Sequence, residues 1–330
     1  MTRPTLSFAC GPYDRMQALY DGSVVVDGAD LAPKIIQRPL EIFSRMLKDG
    51  EFDVAEMSLT HCFVLGAAGT ARFVTLPVFP SRMFRHGFIF VNRASGIRSP
   101  EDLAGRRIGV QGYQMTAAVW IRGHLRSSYG VDLDSVSWFE GGVNSPGVAG
   151  GHATSFRPSR PLNIRPIGSA DTLSAMLARG DIDALIGADA PDSLGSENVA
   201  RLFPDYRATE RAYYLKTKIF PIMHLVAIRK DIHEKHPWVA NSFYKAFVEA
   251  KQWALARMHF AGSQNTMFPW QNPDVDEIDE LFGGDPWPYG VEPNRPTLEA
   301  LMTYMVEQDF IPKAIPIDDL FYPLPGAMGY

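Results

Sequence analysis

Cysteine is nearly missing from this chain: Cys10 and Cys62 are the only two among 330 residues. Two thiols cannot build a disulfide scaffold, and their separation matches no metal-ligand spacing. Long apolar runs are missing too. No stretch reaches the roughly 20 apolar residues that a membrane span needs. The apolar segment at residues 5–10 is too short for a signal-peptide core and precedes no small-residue cleavage site, so a reduced, cytoplasmic protein is expected. An excess of positive charge is also absent. Against 37 acidic residues stand 32 Lys and Arg, a net charge of -5, which excludes a general nucleic-acid binder. No glycine-rich phosphate loop, dinucleotide fingerprint or nucleophile elbow occurs. His233 and His236 lack the four-residue spacing of a zincin helix, and no other spacing asks for a metal.

What is present is an ordinary globular composition, 46% hydrophobic and 21% charged, in a chain long enough for two domains. Strand and helix patterns alternate, which predicts α/β architecture. Strands are expected at 5–10, 33–37, 52–58, 73–79, 86–92, 107–110, 182–187 and 220–229. Helices are expected at 39–47, 60–68, 117–129, 171–179 and 238–258. Ser99-Pro100-Glu101-Asp102 reads as a capped helix start. Residues 140–166, rich in Gly, Pro, Ser and Asn, read as a flap, and the chain is expected to finish in a Pro-rich tail.

The strand at 73–79 runs into Pro80-Ser81-Arg82-Met83-Phe84-Arg85-His86. Two guanidiniums and an imidazole within five residues suit a carboxylate clamp joined to proton chemistry, and a solvated basic turn is the plain alternative.

Two segments resemble the second lobe of type 2 periplasmic binding proteins: Ser99-Pro100-Glu101-Asp102-Leu103-Ala104-Gly105-Arg106-Arg107-Ile108-Gly109-Val110, and the run from Asp171-Thr172-Leu173 through Gly180-Asp181-Ile182-Asp183-Ala184. The resemblance implies a two-lobed fold, each lobe a mixed sheet flanked by helices, with two crossing strands. Lobe one would hold 1–92 plus 227–330, lobe two 93–226, with a ligand cleft between them. Further segments are similar to the 4,5-dihydroxyphthalate decarboxylase family: Tyr13-Asp14-Arg15, Glu51-Phe52-Asp53-Val54-Ala55-Glu56-Met57-Ser58, Pro77 through His86, and Gly112-Tyr113-Gln114-Met115-Thr116-Ala117-Ala118-Val119-Trp120. That likeness implies a lyase of aromatic catabolism (phthalate degradation) which turns 4,5-dihydroxyphthalate into protocatechuate and carbon dioxide.

Such a reaction protonates the ring carbon that bears the leaving carboxylate, while the para hydroxyl gives up its proton. It needs a carboxylate clamp, a base and an acid, and no organic cofactor. His86 is the leading acid/base by residue type. Glu56, at a strand end, is the candidate for the phenolic proton. Arg82 is favoured over Arg85 as the carboxylate contact, because residues three apart diverge on an extended segment. Arg15, Ser58, Gln114, Thr116, His224 and Asp189 are candidates for substrate binding, with capping or core roles as alternatives for several. The expected partner is a small aromatic dicarboxylate; nucleic acid and membrane are not expected. Aromatic residues of the C-terminal segment are candidates for a homo-oligomer contact. The competing readings are a solute-binding protein of an ABC transporter, and another lyase on the same fold.

Overall fold

The computed structural model describes residues 3–147, 158–159 and 161–324. The chain forms two compact units. Unit 1 holds 1–81, 224–295 and 316–330, and unit 2 holds 82–223 and 296–315. Residues 82–92, 224–226 and 296–315 are thereby grouped otherwise than in the division expected from the sequence.

Unit 1 is built on β1 (Thr5–Cys10), β2 (Asp30–Ile35), β3 (Val54–Ser58), β4 (Phe73–Arg82) and β11 (Ile222–Arg229), in the order β2-β1-β3-β11-β4. β1 runs parallel to β2 and β3, while β11 runs antiparallel to β3, so the sheet is mixed. Unit 2 carries β5 (Ile89–Asn92), β6 (Arg107–Val110), β7 (Ser137–Glu140), β8 (Ile164–Pro166), β9 (Ala184–Ile186) and β10 (Val199–Arg201), in the order β10-β5-β9-β6-β7-β8. Its β6, β7, β8 and β9 are parallel, and β5 pairs antiparallel with β9 and β10. The chain leaves unit 1 at the end of β4 and returns within β11.

Helices flank both sheets. They are α1 (Gln17–Tyr20), α2 (Pro39–Asp49), α3 (Leu59–Ala67), α4 (Thr116–Tyr129), α5 (Leu173–Arg179), α6 (Tyr206–Thr217), α7 (Lys230–Lys235), α8 (Val239–Met258), α9 (Gln271–Phe282) and α10 (Arg295–Glu307). In unit 1, Phe8 of β1 meets Phe243 and Phe247 of α8 with ring centroids 6.4 and 5.3 Å away. In unit 2, Phe90, Leu173, Leu177, Ile182, Leu185 and Val199 close one core cluster. Burying side chains of this size stabilises by about 1.5–3 kcal/mol each before the entropy of ordering is counted.

Several elements differ from the sequence reading. The capped start at Ser99 is real, with the Ser99 amide donating to Asp102 Oδ2 (2.9 Å), but only a 3-10 turn, Pro100–Leu103, follows it. The strand expected from His86 begins at Ile89, behind a 3-10 turn His86–Phe88. The expected Pro-rich tail contains α9 and α10. Of the expected flap at 140–166, residues 148–157 and 160 lie outside the described residues. Among the described residues no helix is long and apolar enough to cross a membrane.

Candidate active site

Glu56 sits where a central strand usually carries an apolar residue. β3 lies between β1 and β11, and all five of its residues are buried. A fully buried carboxylate is costly unless its oxygens are bonded, and here they are. The Tyr13 hydroxyl donates to Oε1 (2.7 Å), and the Gly11 amide donates to Oε2 (2.9 Å). The Cys10 thiol reaches Oε2 at 3.4 Å. His224 Nδ1 lies 2.5 Å from Oε1. Burial works to raise the carboxyl pKa. The His224 charge and the bonds from His224, Tyr13 and Gly11 overcome it, and Glu56 stays ionised below its ordinary range.

An ionised carboxylate only accepts, so the proton of this bond is on His224 Nδ1. The strand register explains the meeting. His224 of β11 stands opposite Ser58 and Val226 stands opposite Glu56. His224 and Glu56 are therefore diagonal neighbours on one face of the sheet. Phe43 of α2 packs edge-on against the imidazole with centroids 4.9 Å apart. Nε2 is left as the atom able to exchange a proton, on a side chain that keeps 17% of its surface exposed.

Local sequence dictates the rest. Gly11 ends β1 with its amide on Glu56, and a Cβ there would fall 2.8 Å from the Tyr13 ring. Burial, then the Glu56 charge, raises the Tyr13 phenol above its ordinary pKa, so it remains a donor. The Arg15 guanidinium packs against both the Tyr13 ring (4.5 Å) and the Trp287 ring (4.2 Å). Its Nε donates to the Pro80 carbonyl (2.8 Å) and Nη1 pairs with Asp14 (2.8 Å). Ser58 caps α3, its Oγ accepting from the His61 amide (3.5 Å) and lying 3.4 Å from His61 Nδ1.

The remaining candidates lie in unit 2. Arg82 ends β4 with its guanidinium carbon 5.7 Å from the Phe220 ring centroid, and both Arg82 and Arg85 are only 5% exposed, so neither belongs to a solvated turn. Two Arg85 nitrogens, Nε and Nη1, are buried without a hydrogen-bond partner. Burial lowers its pKa to about 10, against the opposing pull of Asp189 and Glu210. Asp189 itself is exposed, in the loop after β9. Gln114 and Thr116 are buried at the start of α4.

His86 is packed among rings. It stacks on His124 (5.5 Å, 8° between planes) and meets Tyr129, Phe203 and Tyr213. Neither ring nitrogen has a hydrogen-bond partner, and burial lowers its pKa from 6.5 to about 4. It is neutral at pH 7, without the imidazolium proton that a general acid gives up.

Sequence reasoning missed Tyr13 as the brace of Glu56, although Gly11-Pro12 after a strand marks a turn at that point. The cap of α3 also brings His61 to Ser58. Nothing in the sequence singles out Trp287 or Phe43.

Over 325 residues, 98% of both chains, the sequence is 36% identical to a 4,5-dihydroxyphthalate decarboxylase of Comamonas testosteroni. It is 38% identical to a 4,5-dihydroxyphthalate decarboxylase of Pseudomonas putida over 216 residues, 65% of this chain and 83% of that one. Among solved structures, the periplasmic aliphatic sulphonate binding protein SsuA from Escherichia coli aligns with a TM-score of 0.53 at 14% identity, covering 97% of this chain and 98% of that one. At that identity the likeness is one of fold, and the fold is the periplasmic-binding-protein-like α/β arrangement expected from the sequence. No protein-family model matches the chain.

Proposed function

The chain belongs to the 4,5-dihydroxyphthalate decarboxylase family, and from that premise we propose that it removes carbon dioxide without oxidation from a dihydroxylated aromatic dicarboxylate, 4,5-dihydroxyphthalate giving protocatechuate. The observation that carries the reading is the Glu56–His224 pair. A buried carboxylate fixes the imidazole tautomer through Nδ1, which leaves Nε2 as a proton-transfer atom of set direction.

In this reading Nε2–H of the imidazolium protonates the ring carbon that bears the departing carboxylate. A C–H bond forms there as the para hydroxyl gives its proton to solvent. The C–C bond to the carboxylate then breaks, its electron pair restores the aromatic ring, and carbon dioxide leaves. The phenolate is reprotonated, and solvent returns the proton to His224. The ring accepts the electrons, so the chemistry asks for no organic cofactor.

Glu56, with its oxygens taken, holds the imidazole and does not meet the phenol. The acid role expected of His86 passes to His224. Arg85 is assigned a substrate carboxylate, because its two unpartnered nitrogens are what a carboxylate satisfies. The likeness to SsuA concerns fold and does not by itself favour transport. Placement in a reducing compartment is supported by Cys10 and Cys62, both buried free thiols.

Two measurements follow. Purified protein mixed with 4,5-dihydroxyphthalate, without added cofactor, is expected to release one carbon dioxide per ring with the ultraviolet change to protocatechuate; binding without release would overturn the reading. Arg85→Met is expected to move stability and affinity in opposite directions. Removing a buried cation with unmet donors stabilises the free protein by about 1–3 kcal/mol. Loss of its charge-assisted bonds weakens binding of the dicarboxylate by about tenfold or more. A Tm that falls with affinity intact would make Arg85 structural.

A further inference from the structure

β4 is the edge strand of its sheet, and its Pro77 and Pro80 are tolerated there because an edge strand need not donate on both sides. Three alternate carbonyls along that strand are capped by later parts of the chain. The Tyr322 amide donates to Thr75 O (2.9 Å), and the Gly290 amide donates to Pro77 O (2.8 Å). Trp287 Nε1 donates to Phe79 O (2.8 Å). The segment that delivers Trp287 is stiff. Pro286 and Pro288 flank the indole, and Gly290 turns at φ 96, a left-handed conformation that glycine adopts without strain. Asp285 Oδ1 accepts from the Trp287 amide (2.8 Å), while Asp285 Oδ2 pairs with the buried Lys251 of α8.

So anchored, the indole ring lies 4.2 Å from the Arg15 guanidinium carbon, which also lies 4.5 Å from the Tyr13 ring. The Tyr13 hydroxyl bonds Glu56 Oε1, the oxygen that also holds His224 Nδ1. Trp287, Arg15, Tyr13, Glu56 and His224 form one unbroken line of contacts. We infer that Trp287 is a positioning residue for proton transfer, acting through Arg15 and Tyr13 on the Glu56–His224 pair. The inference rests on His224 as the proton carrier. A guanidinium in contact with both rings holds Tyr13 without competing for its hydroxyl, which stays committed to Glu56.

The test is a double-mutant cycle on kcat. Tyr13→Phe removes the hydroxyl from Glu56 and is expected to lower kcat by about tenfold or more, since the lost bond is to a charged group. Trp287→Leu is expected to lower kcat about three- to tenfold with KM within twofold, by loss of the cation–π contact and the indole bond. In the Tyr13→Phe background the Trp287 change should cost little more, and Trp287→Phe, which keeps a ring beside Arg15 but loses the indole bond, should recover part of the loss. The acidic limb of the kcat–pH profile should move in the same direction in Trp287→Leu and Tyr13→Phe. Additive losses, or a rise in KM alone, would overturn the inference while an inactive His224→Asn keeps the proton-carrier assignment. Full turnover by His224→Asn would remove both.

Discussion

His224→Asn is expected to lower kcat by about 10²–10⁴, the usual contribution of a positioned acid/base group, and to leave substrate affinity within a few-fold. Asparagine suits the test because its side-chain amide can still donate to Glu56, so the buried carboxylate is not stranded and the fold is spared. Steady-state kinetics give kcat, and calorimetry of the inactive variant gives the affinity. The same experiment on His86→Phe is expected to leave kcat within about threefold, because a neutral imidazole enclosed by His124, Tyr213 and Phe203 holds no acidic imidazolium proton at pH 7. The pair of results decides which histidine carries the proton. A kcat lowered 10²-fold or more in His86→Phe, with His224→Asn unaffected, reverses the assignment and returns the acid to the Arg82–His86 segment.

Much of the site was legible one residue at a time, and little of it as a constellation. Glu56 stands out in Val54-Ala55-Glu56-Met57-Ser58 because a carboxylate is out of place in an apolar strand. His224 is a visible candidate on an apolar strand as well. What joins them is register across 168 residues of sequence, and a one-residue slip of β11 would turn His224 to the other face. No local pattern encodes that register. At Arg82 and Arg85 the sequence left a carboxylate clamp and a solvated basic turn both open. Both side chains are buried, which a local pattern does not encode because the burial depends on elements far away in the chain, such as Phe220 beside Arg82.

The fold itself was readable where periodicity was strong and hidden where proline misled. α8 matches its expected span to within a residue, since its apolar spacing persists over 20 residues. α9 and α10 lie in the segment whose prolines read as a tail. Their Pro273 and Pro296 fall in the first turn, where a missing amide hydrogen has no helical partner to lose. β2 was expected to begin at Pro33, but it begins at Asp30, because an edge strand accommodates proline within it.

Acid destabilises unit 2 through His86 and His124. In the native state His86 titrates near 4 against an ordinary value of 6.5, and burial holds His124 well below its ordinary value. Above pH 6.5 neither the folded nor the unfolded chain protonates these rings, and their full contribution is present. Between 6.5 and 4 the unfolded chain takes up protons that the folded chain refuses, so stability falls as pH falls, by about 3 kcal/mol for His86 alone. His124 acts in the same direction. The two rings are stacked 5.5 Å apart, so a charge on one further disfavours a charge on the other. Glu210, whose carboxyl is raised by burial, opposes the trend weakly, since it is favoured by protonation. Denaturant midpoints at pH 7, 5.5 and 4.5 test this on the wild type and on His86→Phe, which keeps a ring in the stack. The wild type should lose stability across the window, and the variant should lose about 2 kcal/mol less between pH 7 and 4.5. Identical pH dependence in the two proteins would mean that His86 gains a proton, or a partner, that the packed neutral ring does not provide.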